Sequence, residues 1–271
     1  MARKRHIRWD RVVMVFGPLL LIILLLCVCC KDRSESDESS LAIHNVEKTQ
    51  PSTPLFTGDN TQILTAAEPE KHEFTIVLDA GHGGNDGGAT NQDKTRNEKD
   101  DNLRLTLAAR DELLKHPHVR VLLTRETDEF VSLDERCAFA NNANADFFIS
   151  LHRNSATDGE GVEIWVNNNA KENSMDKLLG GYIMDHLEMA GVSNNRGVQL
   201  GFRGSTRETV GNNYQVNRDT KMPSCLVEMG FMTSERDNRF FDEKLNDYAK
   251  AIADAVIELG QDKNLYSAPG Q

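Results

Sequence analysis

The sequence predicts an α/β domain between about Phe74 and Gly260, with a mostly parallel central sheet covered by helices on both faces. Three observations carry that expectation. Short apolar runs recur at Phe74 to Asp79, Val119 to Thr124, Asp146 to Leu151, Gly161 to Val166 and Ser224 to Glu228. Their length and boundaries suit strands buried on both faces. Stretches with apolar residues at three- and four-residue steps lie between most of them, as crossover helices require. Several runs also end on or beside a titratable side chain, and open α/β sheets hold ligands at the carboxyl ends of their strands.

Ahead of the domain, Arg3, Lys4, Arg5, Arg8 and Arg11 precede an uncharged run of 19 residues from Val12 to Cys30. That is close to the ~20 residues needed to cross a bilayer. The basic flank should stay cytoplasmic and the rest of the chain lie outside. Residues 1–30 are therefore expected to be a basic stub and a transmembrane signal anchor, single-pass in the cell membrane. The alternative is secretion after signal cleavage, although no clear small-x-small site follows the run. Cys27, Cys29 and Cys30 lack the small preceding residue of a lipidated cysteine and read as apolar filler. Residues 31–73 are rich in Ser, Asp, Glu and Thr, the composition of a flexible linker. The net charge of -11 argues against a nucleic-acid partner and is compatible with an uncharged or zwitterionic polymer.

The domain opens with Phe74 to Asp79 breaking into Ala80-Gly-His-Gly-Gly84, which carries one imidazole, His82. A helix is expected over Lys99 to Lys115, with Leu103, Leu107 and Leu114 on its apolar arc and Glu98 just ahead of it. Ser132 and Glu135 form a capping-box pattern for a helix through about Asn144, with Leu133, Cys137 and Ala140 inward. The strand from Asp146 ends at His152, repeating the setting of His82. A helix follows from Ser174 to Ala190. The polar stretch 197–222 has the length of a lid or substrate wall, with a short strand possible near Tyr214 to Val216. Pro223 introduces the strand that ends on Glu228. Leu245, Tyr248, Ala249, Ile252, Val256 and Leu259 pattern a final helix over Lys244 to Leu259. Residues 261–271 read as a tail. A Cys137–Cys225 disulfide is possible outside the cytoplasm, but sequence cannot set the distance.

In a parallel sheet, strand ends share one edge, so His82, His152, Glu228 and Glu98 can converge. Two imidazoles and one carboxylate are the ligand set of a catalytic zinc site with a position left for water. The remaining carboxylate can take the proton of that water. Chemistry alone does not say which glutamate has which task, and buried acids at strand ends also occur as paired structural groups. The HExxH helix of common metalloproteases is missing, and Asp86 stands where a dinucleotide loop needs its third glycine.

Several motifs occur in one order: Val77-Leu-Asp-Ala-Gly-His-Gly-Gly84, Glu98-Lys-Asp100, Leu123-Thr-Arg125, Ser132-Leu-Asp-Glu-Arg136, Ser150-Leu-His-Arg-Asn-Ser155, Asn195-Arg-Gly-Val198 and Leu226-Val-Glu-Met-Gly-Phe231. Together they resemble the zinc-dependent N-acetylmuramoyl-L-alanine amidases of the amidase-3 family over about Phe74 to Leu259. The resemblance implies Zn2+ held by His82, Glu98 and His152, with Glu228 as catalytic acid/base. It also implies hydrolysis of the amide between N-acetylmuramic acid and L-alanine in peptidoglycan, for wall remodelling or degradation. Arg153 departs from the small residue common in the family at that position, and is expected to meet a substrate carboxylate or point to solvent. Asn154 is expected to hydrogen-bond substrate near the metal. Asp79 and Asp86 are expected in turns or behind the ligands, where an acid could orient His82. A stem peptidase and a catalytically silent wall-binding module are the rival functions.

Overall fold

The computed structural model describes residues 73–202, 209–210 and 212–268. The expected anchor and all but the last residue of the linker lie outside the described residues. In chain order the elements are β1 (Phe74–Ala80), α1 (Glu98–Leu113), β2 (Val119–Leu123), α2 (Leu133–Ala143), β3 (Phe147–Asn154), β4 (Val162–Val166) and α3 (Met175–Met189). They continue with β5 (Asn195–Leu200), β6 (Thr209–Val210), β7 (Asn213–Tyr214), α4 (Gln215–Asp219), β8 (Ser224–Phe231) and α5 (Glu235–Asp262).

Six strands form one sheet in the order β2-β1-β3-β8-β4-β5. Neighbours pair parallel except β4 with β8, which are antiparallel. The exception follows from chain length. A parallel crossover needs about a dozen residues, and only residues 155–161 separate β3 from β4. β5, most of which falls inside the stretch expected to be a polar connection from residue 197, pairs parallel with β4 after the α3 crossover.

Helices cover both faces, as expected. Leu105, Ala109 and Leu113 of α1, Leu179, Ile183 and Leu187 of α3, and Ile252, Val256 and Leu259 of α5 pack on Ile76, Leu78, Ile149, Leu151 and Val227. On the other face, Cys137 and Ala140 of α2 and Val216 of α4 meet Val77, Phe148, Trp165 and Leu226. The α1 arc differs from its expectation, since Leu105 is buried whereas Leu114 is exposed. The same buried face carries Glu98, Asp101 and Asn102, polar residues that hid the stripe.

Local signals explain several boundaries. The capping box at Ser132 and Glu135 forms, with Glu135 N donating to Ser132 Oγ at 3.3 Å and Ser132 N donating to Glu135 Oε2 at 2.9 Å. α5 begins nine residues before the expected Lys244, which instead marks a break with φ -120°. There Lys244 Nζ donates to the carbonyls of Ala190 and Gly191 at 3.1 and 2.8 Å, covering carbonyls left open at the end of α3. Residues 214–216 form the end of β7 and the start of α4 rather than one strand.

Cys137 and Cys225 are both free. They belong to cores on opposite faces of the sheet, so the sheet itself keeps them apart.

Candidate metal centre

His152 and Glu228 are register partners on β3 and β8, near the carboxyl ends of both strands. They lie within the strands rather than just after them, because β3 continues to Asn154 and β8 to Phe231. By strand alternation they share the face of Phe148 and Leu226, opposite the larger core. His82 follows β1 in a left-handed conformation, φ 60°, that carries the chain around the sheet edge. Glu98 is the first residue of α1, where a carboxylate also suits the helix dipole.

These elements bring three side chains to one point. Glu98 Oε1 lies 3.2 Å from His82 Nε2 and 2.9 Å from His152 Nδ1. Ligand atoms of His82, Glu98 and His152 all fall within 4.8 Å of one another. Ligands on a tetrahedral metal at ordinary bond lengths stand roughly 3.4 Å apart, so a small adjustment would seat an ion. The donor set of two imidazoles and a carboxylate fits the expected metal.

The site is held from behind. Asp86 Oδ2 lies 2.9 Å from His82 Nδ1, which turns Nε2 toward Glu98. This is the orienting acid that metal-bound histidines commonly need. Glu98 is buried and accepts at Oε1 from Arg153 N at 3.0 Å and Asn102 Nδ2 at 3.3 Å. Its Oε2 accepts from Ala89 N at 2.8 Å, and Glu98 N donates back to Ala89 O at the same distance. Burial works to raise the Glu98 pKa, but hydrogen bonds from His152 and then His82, with their charge, hold it well below the usual value. These partners favour the anionic carboxylate, the form a metal ion would accept as a ligand.

Two buried arginines shape the turn that carries His82. Arg125 donates from Nε to Ala80 O at 2.8 Å and from Nη2 to Gly81 O at 3.0 Å. Arg136 donates to Ala80 O and His82 O, both at 2.7 Å. A strand that turns away from its ladder leaves buried carbonyls needing donors, which explains the arginines of two sequence motifs. Asp79 serves the same frame, accepting from Arg136 Nη1 at 2.5 Å and from Ser150 and Thr124 hydroxyls at 2.6 Å each.

Arg153 differs from its sequence reading. Its side chain has no exposed surface; Nη1 donates to Asp101 Oδ2 at 2.5 Å and Nη2 to Asn238 Oδ1 at 2.8 Å. Its Cζ lies 4.4 Å from the Phe241 ring centroid. The guanidinium therefore ties α1 and α5 to β3, and only the backbone N–H reaches the site. Neither a substrate carboxylate nor solvent meets the charge.

A cleft of about 700 Å³ opens beside the centre, lined by His82, Glu98, His152, Asn154 and Glu228 among others. Trp165, Phe202 and Tyr214 wall it, with ring centroids 5.0–6.4 Å apart. Two of these belong to the 197–222 stretch expected to form a wall. Asn154 faces the cleft, but its Nδ2 donates to Glu163 Oε1 at 2.7 Å. A second cleft, lined by Phe130, Val131 and Leu133, shares His82 and His152.

Glu163 is the lining residue that the sequence reading missed. It is buried on β4 directly opposite Glu228 in the antiparallel register. A search confined to parallel strand ends passes over it, because β4 delivers its beginning, not its end, to the active edge. An acid inside the apolar run Val162 to Val166 was the available signal.

Two imidazoles and a carboxylate that could hold a metal ion, with a second carboxylate across the adjoining strand, are the donor set of a metal-dependent hydrolase type of site on an α/β sheet. The amidase-3 family of N-acetylmuramoyl-L-alanine amidases matches residues 76–258. The YqiI protein of Bacillus subtilis is 33% identical over 196 residues, covering 71% of this chain and 85% of that protein. A probable cell wall amidase, LytH of Staphylococcus epidermidis, is 29% identical over 187 residues. That alignment covers 68% of this chain but 56% of LytH, so the chain spans little more than half of that relative. The crystal structure of an N-acetylmuramoyl-L-alanine amidase from Clostridium difficile superposes with a TM-score of 0.61 at 28% identity, covering 70% of this chain and 98% of that one. The chain belongs to the amidase-3 family.

Proposed function

We propose that this protein hydrolyses the amide between the lactyl group of N-acetylmuramic acid and L-alanine in peptidoglycan, as a zinc enzyme. The observation that carries the reading is the convergence of His82 Nε2 and His152 Nδ1 on Glu98 Oε1, at 3.2 and 2.9 Å, with Glu228 in register beside His152. Family membership supports the bond and the polymer. Zinc bound by His82, Glu98 and His152 would polarise the scissile carbonyl and lower the pKa of a water to about 7.

The chain's own groups do the rest. Glu228 accepts a proton from the attacking water and returns it to the departing L-alanine nitrogen. Tyr214 OH, 3.5 Å from Glu228 Oε1, and the wall of Trp165 and Phe202 confine that carboxylate on the cleft side. Asp86 keeps the His82 ring in its productive orientation, and Asn154, its amide tied to Glu163, lines the cleft where substrate would lie. The N-terminal basic stub and apolar run would hold the domain outside the cytoplasmic membrane, facing the wall.

Digestion of purified peptidoglycan tests the reaction. New L-alanine amino termini without new reducing sugar ends are expected, and elemental analysis should find one zinc per chain. Free stem fragments in place of L-alanine termini would instead establish a peptidase. Fractionation of cells, with protease accessibility of the domain, tests the membrane placement.

A further inference from the structure

The cleft beside the metal centre carries a guanidinium that the hydrolytic reading leaves unused. Arg196 lies on β5, and its Nε donates to Glu163 Oε2 at 2.7 Å. Its Cζ sits 5.1 Å from the centroid of Phe231, so one face of the guanidinium rests on an aromatic ring. Glu163 is itself fixed, because Oε1 accepts from Asn154 Nδ2 at 2.7 Å and from Trp165 Nε1 at 3.2 Å. Arg196 is thus held by a held residue. Its side chain nevertheless remains 37% exposed and lines the cleft. Among the described residues, no hydrogen bond engages either Nη.

A guanidinium with Nε committed, on a partly exposed side chain that lines the cleft, retains the Nη donors that carboxylates accept in bidentate fashion. Its position limits which carboxylate. β5 is separated from β8 by β4 alone, which puts Arg196 two strand spacings, about 10 Å, from Glu228 along the sheet. In a peptidoglycan stem the second residue is a γ-linked glutamate, whose α-carboxyl group stands about two residue steps, roughly 7 Å, from the scissile carbon. A side chain reaching back toward Glu163 closes the difference. Arg153, the arginine nearer the metal in sequence, is excluded by its buried partners.

We propose that Arg196, positioned by Glu163 and Phe231, binds the free α-carboxylate of the second stem residue and makes the enzyme select stems with a carboxylate over a carboxamide there. The inference rests on the amidase reading above and deepens it by naming a specificity residue.

The test uses the full chain loaded with zinc and a pair of muropeptides that differ only in carboxylate or carboxamide at that residue. The wild type should favour the carboxylate by roughly 10- to 100-fold in kcat/KM, the range of one charge-assisted bidentate contact. In Arg196→Gln the ratio should fall to near one, chiefly through KM, while Arg196→Lys keeps part of it. Calorimetric binding of L-alanyl-γ-D-glutamate and its α-amide gives a readout independent of turnover. A wild-type ratio near one, or an Arg196→Gln protein that loses activity equally on both, would overturn the proposal and leave the amidase reading intact. The wild-type ratio decides even where a variant fails to fold. Cleavage of neither muropeptide, with carboxylate-selective binding that Arg196→Gln abolishes, would instead overturn the amidase reading and leave the carboxylate site. Neither cleavage nor selective binding would overturn both.

Discussion

The imidazole of His152 lies against the backbone of Gly81, so closely that a Cβ there would stand 2.2 Å from two of its ring atoms. Gly88 is constrained in the same way, by the Glu98 carboxylate and the His82 ring at 2.7 Å, and by φ 65°. Gly81 and Gly88 make room for the side chains of the candidate metal site, whereas Gly83 and Gly84 lie against Glu129 and Phe130. Gly81→Ala should therefore rotate His152 away and cost about 10- to 100-fold in metal affinity. Gly87→Ala, whose nearest atom would be 3.7 Å away, should not. Competition with a chromogenic chelator, alongside circular dichroism, checks both.

Asp86 touches His82 from outside the ligand cluster. Asp86→Ala should leave the fold intact, because that side chain is substantially exposed. It should weaken metal binding about 10- to 100-fold through the freed imidazole. Equal metal titrations for wild type and variant would remove Asp86 from the site.

Glu228→Gln should retain metal and thermal stability and lose hydrolysis by about 100- to 10,000-fold, the usual contribution of a positioned proton acceptor. Turnover on peptidoglycan with both proteins at matched zinc content measures this. Comparable rates would assign the proton to another group.

Asp79 sets an acid limit on stability. Burial favours its neutral form, but Arg136 and the Ser150 and Thr124 hydroxyls bring the pKa below the ordinary 3.8. A depressed folded-state pKa contributes stability above the unfolded value, and that stability is lost as pH falls through the folded one. Asp79→Asn should cost about 3–5 kcal/mol at pH 7, since it strands the buried Arg136 charge. The gap to wild type in urea melts should begin to narrow as pH falls below about 4 and close only below the depressed folded-state pKa.

Cys137 and Cys225 should resist thiol reagents until the domain unfolds. Burial pushes the Cys137 thiol up to about 12 and raises that of Cys225 as well. Reactive thiolate is scarce under such conditions. Peptide mapping after alkylation, in native and denatured protein, distinguishes them from Cys27, Cys29 and Cys30.

Much of this was legible because the signals are local. The strand from Phe74 can be recognised by its unbroken apolar run, and α2 by the Ser132–Glu135 box, which depends on residues three apart. The helix of Leu245 to Leu259 declares its face by period alone. α1 was misread for a physical reason. Its inward face begins with Glu98, Asp101 and Asn102, whose partners come from remote segments, so hydrophobic period points elsewhere. Arg153 was misread for the same reason: Asp101, Asn238 and Phe241 surround it only after α1 and α5 have docked.

By itself the sequence determined the α/β class, the order of its elements from β1 to α3 and the strand and helix that close the domain, and the two histidines and two glutamates near strand ends and a helix start. Those follow from residue type and short-range spacing. Only the tertiary structure decided that β4 runs against β8 and sets Glu163 opposite Glu228, and that the Arg153 side chain is buried while that of Arg196 stays partly exposed beside the cleft. Such facts depend on which strands become neighbours and in which register. Pairing between segments far apart in sequence settles them, and no local pattern encodes it.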